Sequence, residues 1–568
     1  MKKFTPQKMV GWYDAKQLFT TAIRAVLSSI FGSYADKRET IASITEEEVY
    51  NDYNTNEEIW VDYISDTGDG FDSTFTMAKL ISYDEITVNQ NNQEKILPRG
   101  KILVFGGDQV YPSPTREEYQ NRFIGPMEAA SPYDDDKAGA DMYVVPGNHD
   151  WYDGLTNFAK IFCRKKKIGS FQTKQNRSYF AIKVRNNVWL WAIDIQLESD
   201  IDKPQLDYFN HVASEHMQKG DKIILCTAEP SWVYNTTRRV DKTYENLEYF
   251  EENCIKAKGM EQILTLTGDL HHYARYTAES EEGKVYHKIT SGGGGAFLHP
   301  THNLPDQLKE MHDGEFVLKK TFPEKKTSKR LIWGNLLFPI KNLSFGAFLA
   351  AVHLAMAWSL KTTSELDEDE ADIFVQMRTM YEKNDFDFSS LLNRLITTFG
   401  HSFSAVLILG LFVLGFYKFC DSNSSKYKHI GFLGMFHGIL HVVLMLFSLC
   451  IFTFVGISFL GLEPGRENVA GVIVQQLLFG GLLSGMLIGL YFIFTNLVLG
   501  IHDNEAFSAL KNKDYKNFLR MHFKGNTLTI YPVGLRKTAK WTQPYIDKFE
   551  TKDTIIPELI DDPIVIEL

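Results

Sequence analysis

Cysteine is scarce in this chain: its 568 residues hold five, Cys163, Cys226, Cys254, Cys420 and Cys450, with no paired spacing. That excludes a disulfide framework or a zinc knuckle as the organising device and fits a reducing compartment. Positive charge is in deficit too, and a net charge of -11 argues against a surface built to wrap nucleic acid. No long apolar run follows Lys2 and Lys3, so no signal peptide is expected. Repeats and low-complexity tracts are missing, apart from the glycines at 292–295. Before about residue 340 there is also no apolar run long enough to cross a bilayer, whereas the remainder is crowded with them. The mean hydropathy of -0.20 averages over that split.

What is present suggests several domains, because a chain of this length is too long for one core. Within 1–50, Phe19, Ile23, Val26, Leu27, Ile30 and Phe31 recur at helical spacing, interrupted by Arg24. They predict an amphipathic helix that packs on a soluble domain or lies on the bilayer surface. Over 51–330 apolar strands at 59–65, 101–105, 142–145, 188–193, 222–226, 262–267 and 285–290 alternate with helical or loop connections. This is the pattern of an α/β domain with covered sheets, in which ligands collect beyond the carboxyl ends of strands.

Residues 331–502 carry four apolar runs, at 343–360, 395–419, 430–460 and 469–501, which predict four transmembrane helices. Their flanks differ in sign. Lys319, Lys320, Lys325, Lys326, Lys329 and Arg330 precede the first run; Lys418, Lys426 and Lys428 follow the second; Lys511, Lys513, Lys516 and Arg520 follow the fourth. The link after the first is acidic, with Glu365, Asp367, Glu368, Asp369, Glu370 and Asp372, and the link near Glu463 and Glu467 has only Arg466. The positive-inside rule then places both termini of a multi-pass protein in the cytoplasm. The tail, 503–568, returns to soluble character: Phe507, Leu510, Phe518 and Leu519 suggest a helix, and NTLTIYPVGL alternates like a strand that needs partners from the N-terminal domain.

Three strand ends share a chemistry: Gly107-Asp108 in KILVFGGDQVY, Gly147-Asn148-His149-Asp150 in VVPGNHDWYDG, and Gly268-Asp269-Leu270-His271-His272 in LTLTGDLHHY. A hard carboxylate, an amide oxygen and imidazoles gathered there can hold two divalent metals and activate a water, which is phosphate-ester hydrolysis. In order and strand context these motifs, with DTGDG and SGGGGAFLHPTH, resemble the calcineurin-like metallophosphoesterase family over about residues 59–300, and look like a membrane-anchored branch of it. The resemblance implies an α/β/β/α sandwich. It also implies that Asp66 is a ligand of metal one, that Asp108 bridges two metals, that Asn148 binds metal two, that His271 completes metal one, and that His149, with Asp150 beside it, faces the phosphate.

The chain departs from the family pattern at three places. Gly68 replaces the His of the first motif, with Asp69 next to it, and Asp269 replaces the first His of the last. Taking Asp69 and Asp269 as ligands shifts the site towards oxygen donors, so two Mn²⁺ ions are expected, with Mg²⁺, Fe or Zn²⁺ as alternatives. At the third, in Cys226-Thr227-Ala228-Glu229-Pro230, Ala228 stands where a lone His is usual, and metal two loses a donor unless Glu229 or water fills the place.

Beyond the ligands, His272 and Arg275 could contact substrate phosphate, a plain ion pair being the alternative for Arg275. The run 291–297 could offer N–H groups to phosphate or form a tight turn, and His299 and His302 read as surface or structural residues. In the apolar region His353, His401, His437 and His441 suggest interhelical hydrogen bonds, with a haem or metal pair as the alternative. The expected function is a membrane phosphoesterase acting on a phosphomonoester, phosphodiester or pyrophosphate, possibly a lipid headgroup. The alternative is a catalytically degenerate sensor or scaffold that binds metal or phosphate. The expected partners are the lipid bilayer and the substrate, not nucleic acid, and no motif speaks to oligomeric state.

Overall fold

The computed structural model describes residues 4–20, 23, 38, 50–54, 58–90, 93–133, 139–195, 200–238, 243–309, 311, 314–365, 379–380, 382–383, 388–420, 427–462, 466–545 and 548–568. Val26, Leu27, Ile30 and Phe31 of the expected amphipathic helix, the acidic residues 367–372, Lys426 and Glu463 lie outside the described residues. The chain divides into two units. One comprises Met1–Val10, Thr20–Lys329 and Lys511–Leu568; the other comprises Gly11–Phe19 and Arg330–Leu510.

The first unit is built on two mixed sheets. In one, the order is Asn51–Asp52, Phe180–Arg185, Val188–Ala192, Lys222–Cys226, Glu261–Thr267, Val285–Ser291, Tyr273–Glu279, Val317–Phe322. In the other it is Glu558–Leu559, Thr527–Leu535, Lys516–Lys524, Ile59–Ile64, Ile102–Phe105, Asp141–Val144, Phe171–Thr173, Lys167–Ile168, with Ile564–Glu567 also paired to the Thr527 strand. Side chains alternate across each strand, so successive residues of these fully buried strands enter different cores. Ile102 and Val104 join Val188, Leu190, Ile224 and Cys226 in one core, shared by both sheets. Leu103 and Phe105 turn the other way, onto Phe71, Phe75 and Ala78 of the helix Phe71–Ser82. Trp189, Trp191, Ile223 and Leu225 turn onto Phe209 and Val212 of the helix Lys203–His216 and Leu247 and Phe250 of Thr243–Phe250. Helices therefore cover the outer faces of two sheets that share an inner core.

The tail differs from its expectation at Phe518 and Leu519. The helix ends at Leu510, and Lys516–Lys524 is a strand paired antiparallel to both Ile59–Ile64 and Thr527–Leu535. A central strand is buried on both faces, so its apolar run carries no alternation to tell it from a buried helix. Arg520 lies in this strand, wholly buried, with Nε and Nη2 donating to the two carboxylate oxygens of Asp62 at 2.7 and 2.9 Å. Lys516 is buried as well, so neither is a loop charge.

In the second unit, three helices are long and apolar enough to cross a membrane: Leu343–Thr363, Gly431–Ser458 and Asn468–Leu499. The expected second span is broken. Leu392–His401 and Phe403–Phe419 meet at 90°, so the count of spans is three, or four if the bent pair makes one. Ser402 accounts for the break by capping a fresh helix, its hydroxyl accepting from the N–H of Ala405 at 3.4 Å. Glycines let the helices approach closely: a Cβ on Gly438 would stand 2.8 Å from the carbonyl oxygen of Phe412. His353 Nδ1 pairs with Gln476 Oε1 at 2.9 Å and its Nε2 with Ser484 Oγ at 2.8 Å, which are interhelical hydrogen bonds of the expected kind.

Candidate functional site

The site forms where two neighbouring parallel strands, Ile59–Ile64 and Ile102–Phe105, run out into loops beside the end of Glu261–Thr267. The first two loops are joined by backbone: Asp66 N donates to Gly107 O and Thr67 N to Asp108 O, both at 3.0 Å. Asp66, Asp108 and Asp269 each take left-handed backbone, with φ of 58°, 47° and 64°. Such residues cost of order 1–3 kcal/mol each and collect at functional sites. Close approach explains two glycines of these turns: a Cβ on Gly147, before Asn148, would collide with Asp108 Oδ1, and one on Gly268, before Asp269, with Ser65 Oγ.

Three predicted ligands converge on one point. The Tyr111 hydroxyl lies 3.1 Å from Asp66 Oδ1, 3.1 Å from Asp108 Oδ2 and 3.0 Å from His271 Nε2. His271 Nδ1 is 2.7 Å from the carbonyl oxygen of Phe297, so the tautomer that donates there presents Nε2 to the cluster. Asp66 Oδ2 accepts from Ser65 Oγ at 2.7 Å and Asp269 N at 3.0 Å, which fixes the carboxylate's roll. Among the described residues no three His, Cys, Asp or Glu side chains form a ready-made ligand group; the phenol hydroxyl is the point they share.

The electrostatics show what is missing. Burial, then the charge of Asp269, pushes Asp108 up to about 8. Burial and then Asp108 raise Asp66, and burial raises Asp269. Burial holds the His271 imidazole low, and hence neutral, which is the form that binds metals. Buried carboxylates that repel one another are relieved by a cation. With three oxygen donors and one imidazole nitrogen, Asp66, Asp108, Tyr111 and His271 fit a hard divalent ion.

The other predicted residues are placed differently. Asp69 spends its carboxylate on backbone, accepting from Val10 N at 2.7 Å and Phe297 N at 3.2 Å, so its contacts are those of a loop anchor and not of a ligand. Asp150 is fully buried and accepts from Tyr119 Oη at 2.5 Å, Gly147 N at 2.9 Å and Gln109 N at 3.4 Å. It ties the Gly147 turn to the Asp108 loop. Arg275 pairs with Asp561 through Nε at 2.7 Å and Nη2 at 3.1 Å, the plain ion pair, and does not contact the cluster. His272 is 1% exposed, and burial holds its imidazole down to about 4.

On the remaining side of the site, Asn148 is exposed at the start of the short helix Asn148–Trp151. His149 follows it, its N–H donating to Asp108 Oδ1 at 2.9 Å and its Nδ1 lying 3.0 Å from the carbonyl oxygen of Pro112. Asp269 is half-buried and accepts from the Tyr234 hydroxyl. Ala228 is 1% exposed against Gly107 and offers no donor.

Sequence reasoning missed Tyr111, whose signal was its place three residues after Asp108. It missed His299, whose ring stacks on His271 at 4.0 Å. The tail was expected to join this domain, but its contacts with the glycine run were not foreseen. Asn517 N donates to Gly293 O at 3.0 Å, Ser291 Oγ to Asn517 Oδ1 at 2.8 Å, and Lys516 Nζ to Ala296 O, so the tail clamps the glycine run. Within that run the N–H groups of Gly292, Gly294, Ala296 and Phe297 donate to protein acceptors, which makes it a structural turn. His302 is buried with Nδ1 2.8 Å from Ser328 Oγ, a structural histidine.

Acidic and imidazole ligands at the strand ends of two mixed α/β sheets are the layout of a phosphoesterase-type domain. Residues 59–277 match the family model for calcineurin-like phosphoesterase, and the chain carries a domain of that family. Proteins of the family bind a dinuclear metal centre. No curated protein matches the chain.

Proposed function

We propose that this protein is a membrane-anchored, metal-dependent hydrolase of a phosphomonoester, phosphodiester or pyrophosphate, working at the cytoplasmic face on a substrate such as a lipid headgroup. The convergence of Asp66 Oδ1, Asp108 Oδ2 and His271 Nε2 within 3.1 Å of the Tyr111 hydroxyl carries the reading. Asp66, Asp108, Tyr111 and His271 would hold the metal, and a metal there supplies a Lewis acid that lowers the pKa of water and neutralises phosphoryl charge. Donation from Nδ1 to Pro112 O orients the His149 ring, so Nε2 is the nitrogen that would meet the leaving-group oxygen. Asp150 keeps the turn that bears His149 in register with the Asp108 loop.

Support for the location is separate. Three apolar helices of spanning length follow the domain, and Lys319, Lys320, Lys326, Lys329 and Arg330 precede them. Tethering beside a bilayer raises the effective concentration of a membrane-borne substrate. The test is turnover by the full chain in detergent, loaded with Mn²⁺, against aryl phosphate mono- and diesters and phospholipids. Turnover that Asp108→Ala removes is expected. Bound metal with no turnover across the whole panel would instead leave the non-catalytic sensor or scaffold, a reading that Ala228 favours.

A further inference from the structure

We infer that the site holds one tightly bound metal, and that Tyr234 and Arg238 serve the corner where the family's second metal lies, with Arg238 binding the phosphate of the substrate. This rests on the phosphoesterase reading above and departs from the dinuclear pattern of the family. The first corner gathers Asp66, Asp108 and His271, from three loops, around the Tyr111 hydroxyl. The second gathers none in that way. Its lone-His position is Ala228, buried and without a donor atom. The amide of Asn148 is exposed and makes no hydrogen bond among the described residues. The third donor, Asp269, is already engaged, its Oδ2 accepting from the Tyr234 hydroxyl.

The residues that fill this corner come from the turn and helix just past Ala228. The helix Ser231–Thr237 brings Tyr234, 8% exposed, onto Asp269. Arg238 caps that helix, its N–H donating to Tyr234 O at 2.8 Å, and its guanidinium lies 3.5 Å from the centroid of the Tyr234 ring. A planar cation at that distance is held by the ring face. A half-buried guanidinium over the ring whose hydroxyl meets Asp269 is a fixed positive charge where a second metal ion would otherwise supply it. Its fork of N–H donors suits two phosphoryl oxygens. The two departures are then one change. Losing the imidazole at 228 removes a metal donor, and the arginine ten residues on restores the charge. Tyr234 holds both partners, donating to Asp269 and lying under Arg238.

Metal content and phosphate binding test this on the full chain in detergent. After loading with Mn²⁺ and removal of loosely held ion, elemental analysis should give one metal per chain. Inorganic phosphate, titrated by calorimetry into the loaded protein, should bind about tenfold or more weakly to Arg238→Ala than to wild type, with Arg238→Lys intermediate. Metal content should be unchanged in both variants, which also shows that they are folded. In turnover, Arg238→Ala should raise KM more than it lowers kcat. Ala228→His should raise the metal content towards two. Two metals in the wild type, or phosphate affinity unchanged by Arg238→Ala, would overturn the inference and leave the phosphoesterase reading standing. A wild type that binds no metal at all would overturn both.

Discussion

At one corner of the site Asp66, Asp108 and His271, from three separate loops, point at a single phenol hydroxyl. At the other, Ala228 has no donor, Asn148 faces outward, and Asp269 is bound to Tyr234. Both corners lie on the same strand ends and share Asp108, so the fold does not explain the difference. The side chains do. In the first corner the family's missing His is offset by Tyr111, another donor. In the second the missing His is offset by Arg238, a cation. A donor preserves metal binding; a cation replaces it. Departures from a family pattern therefore have to be read by the sign of what takes the vacated place, and not by their number.

The change that should damage both corners most is Asp108→Ala. It removes the carboxylate that reaches Tyr111 through Oδ2 and the His149 turn through Oδ1. Turnover is expected to fall by roughly 10³-fold or more, and metal content to fall with it. Retained metal with lost activity would show that the first corner does not depend on Asp108, and the comparison would fail.

Tyr111→Phe separates two readings of the phenol. If Tyr111 is a donor, the variant keeps the ring and its packing but binds Mn²⁺ at least about tenfold more weakly, seen by competition with a chelator. If the hydroxyl only occupies the space between the carboxylates, affinity would stay the same or tighten. The second outcome would reduce the first corner to three side chains and make the two corners more alike.

Much of this was legible in the sequence, for identifiable reasons. Strand ends show as short apolar runs broken by Gly-Asp, because the left-handed turn after the strand tolerates Asp, at Asp108 and Asp269, while Gly is required by its own φ of 128° at Gly107 and by close approach to Ser65 at Gly268. The partners in three dimensions were not legible. Asp69 was read as a ligand because it sits one residue from the missing His, yet its oxygens point at Val10 and Phe297, far away in sequence. Tyr111 carries no ionic signature, and phenols are more often core than ligand. The strand at Lys516–Lys524 was hidden for a different reason. It lies next to Ile59–Ile64 in the sheet but 458 positions away between Arg520 and Asp62, across the whole helical region. The 90° break at Ser402 was hidden too, since hydropathy is summed over a window and is blind to the direction of a helix.

Asp150 tests whether the loop joining the two corners is structural or chemical. Its carboxylate accepts one phenol and two backbone N–H groups. Asp150→Asn turns an amide donor towards groups that are themselves donors. Stability should fall by about 2 kcal/mol in chemical denaturation, the cost of leaving a buried donor unmatched. Metal content should hold, and kcat should fall no more than the looser His149 turn requires. A collapse of kcat at full stability would return Asp150 to the reacting groups.

The smallest effect is expected at Arg275, and it decides where phosphate is bound. Arg275 and Arg238 differ in their surroundings. Arg275 is fixed by a bidentate pair with Asp561, which also accepts from the Tyr273 hydroxyl at 2.9 Å, so its fork of donors is already matched by a carboxylate. Arg238 lies on an aromatic ring beside Asp269. Arg275→Ala should cost about 1 kcal/mol of stability, because a partly exposed pair contributes little and the strand keeps its backbone ladder. KM for an aryl phosphate should not move, while the same measurement on Arg238→Ala should show a clear rise. Equal rises in the two variants would mean that phosphate is drawn by the summed positive charge of the region. A rise with Arg275→Ala alone would mean that Asp561 releases its partner when substrate arrives, and that the tail segment carrying Asp561 takes part in binding.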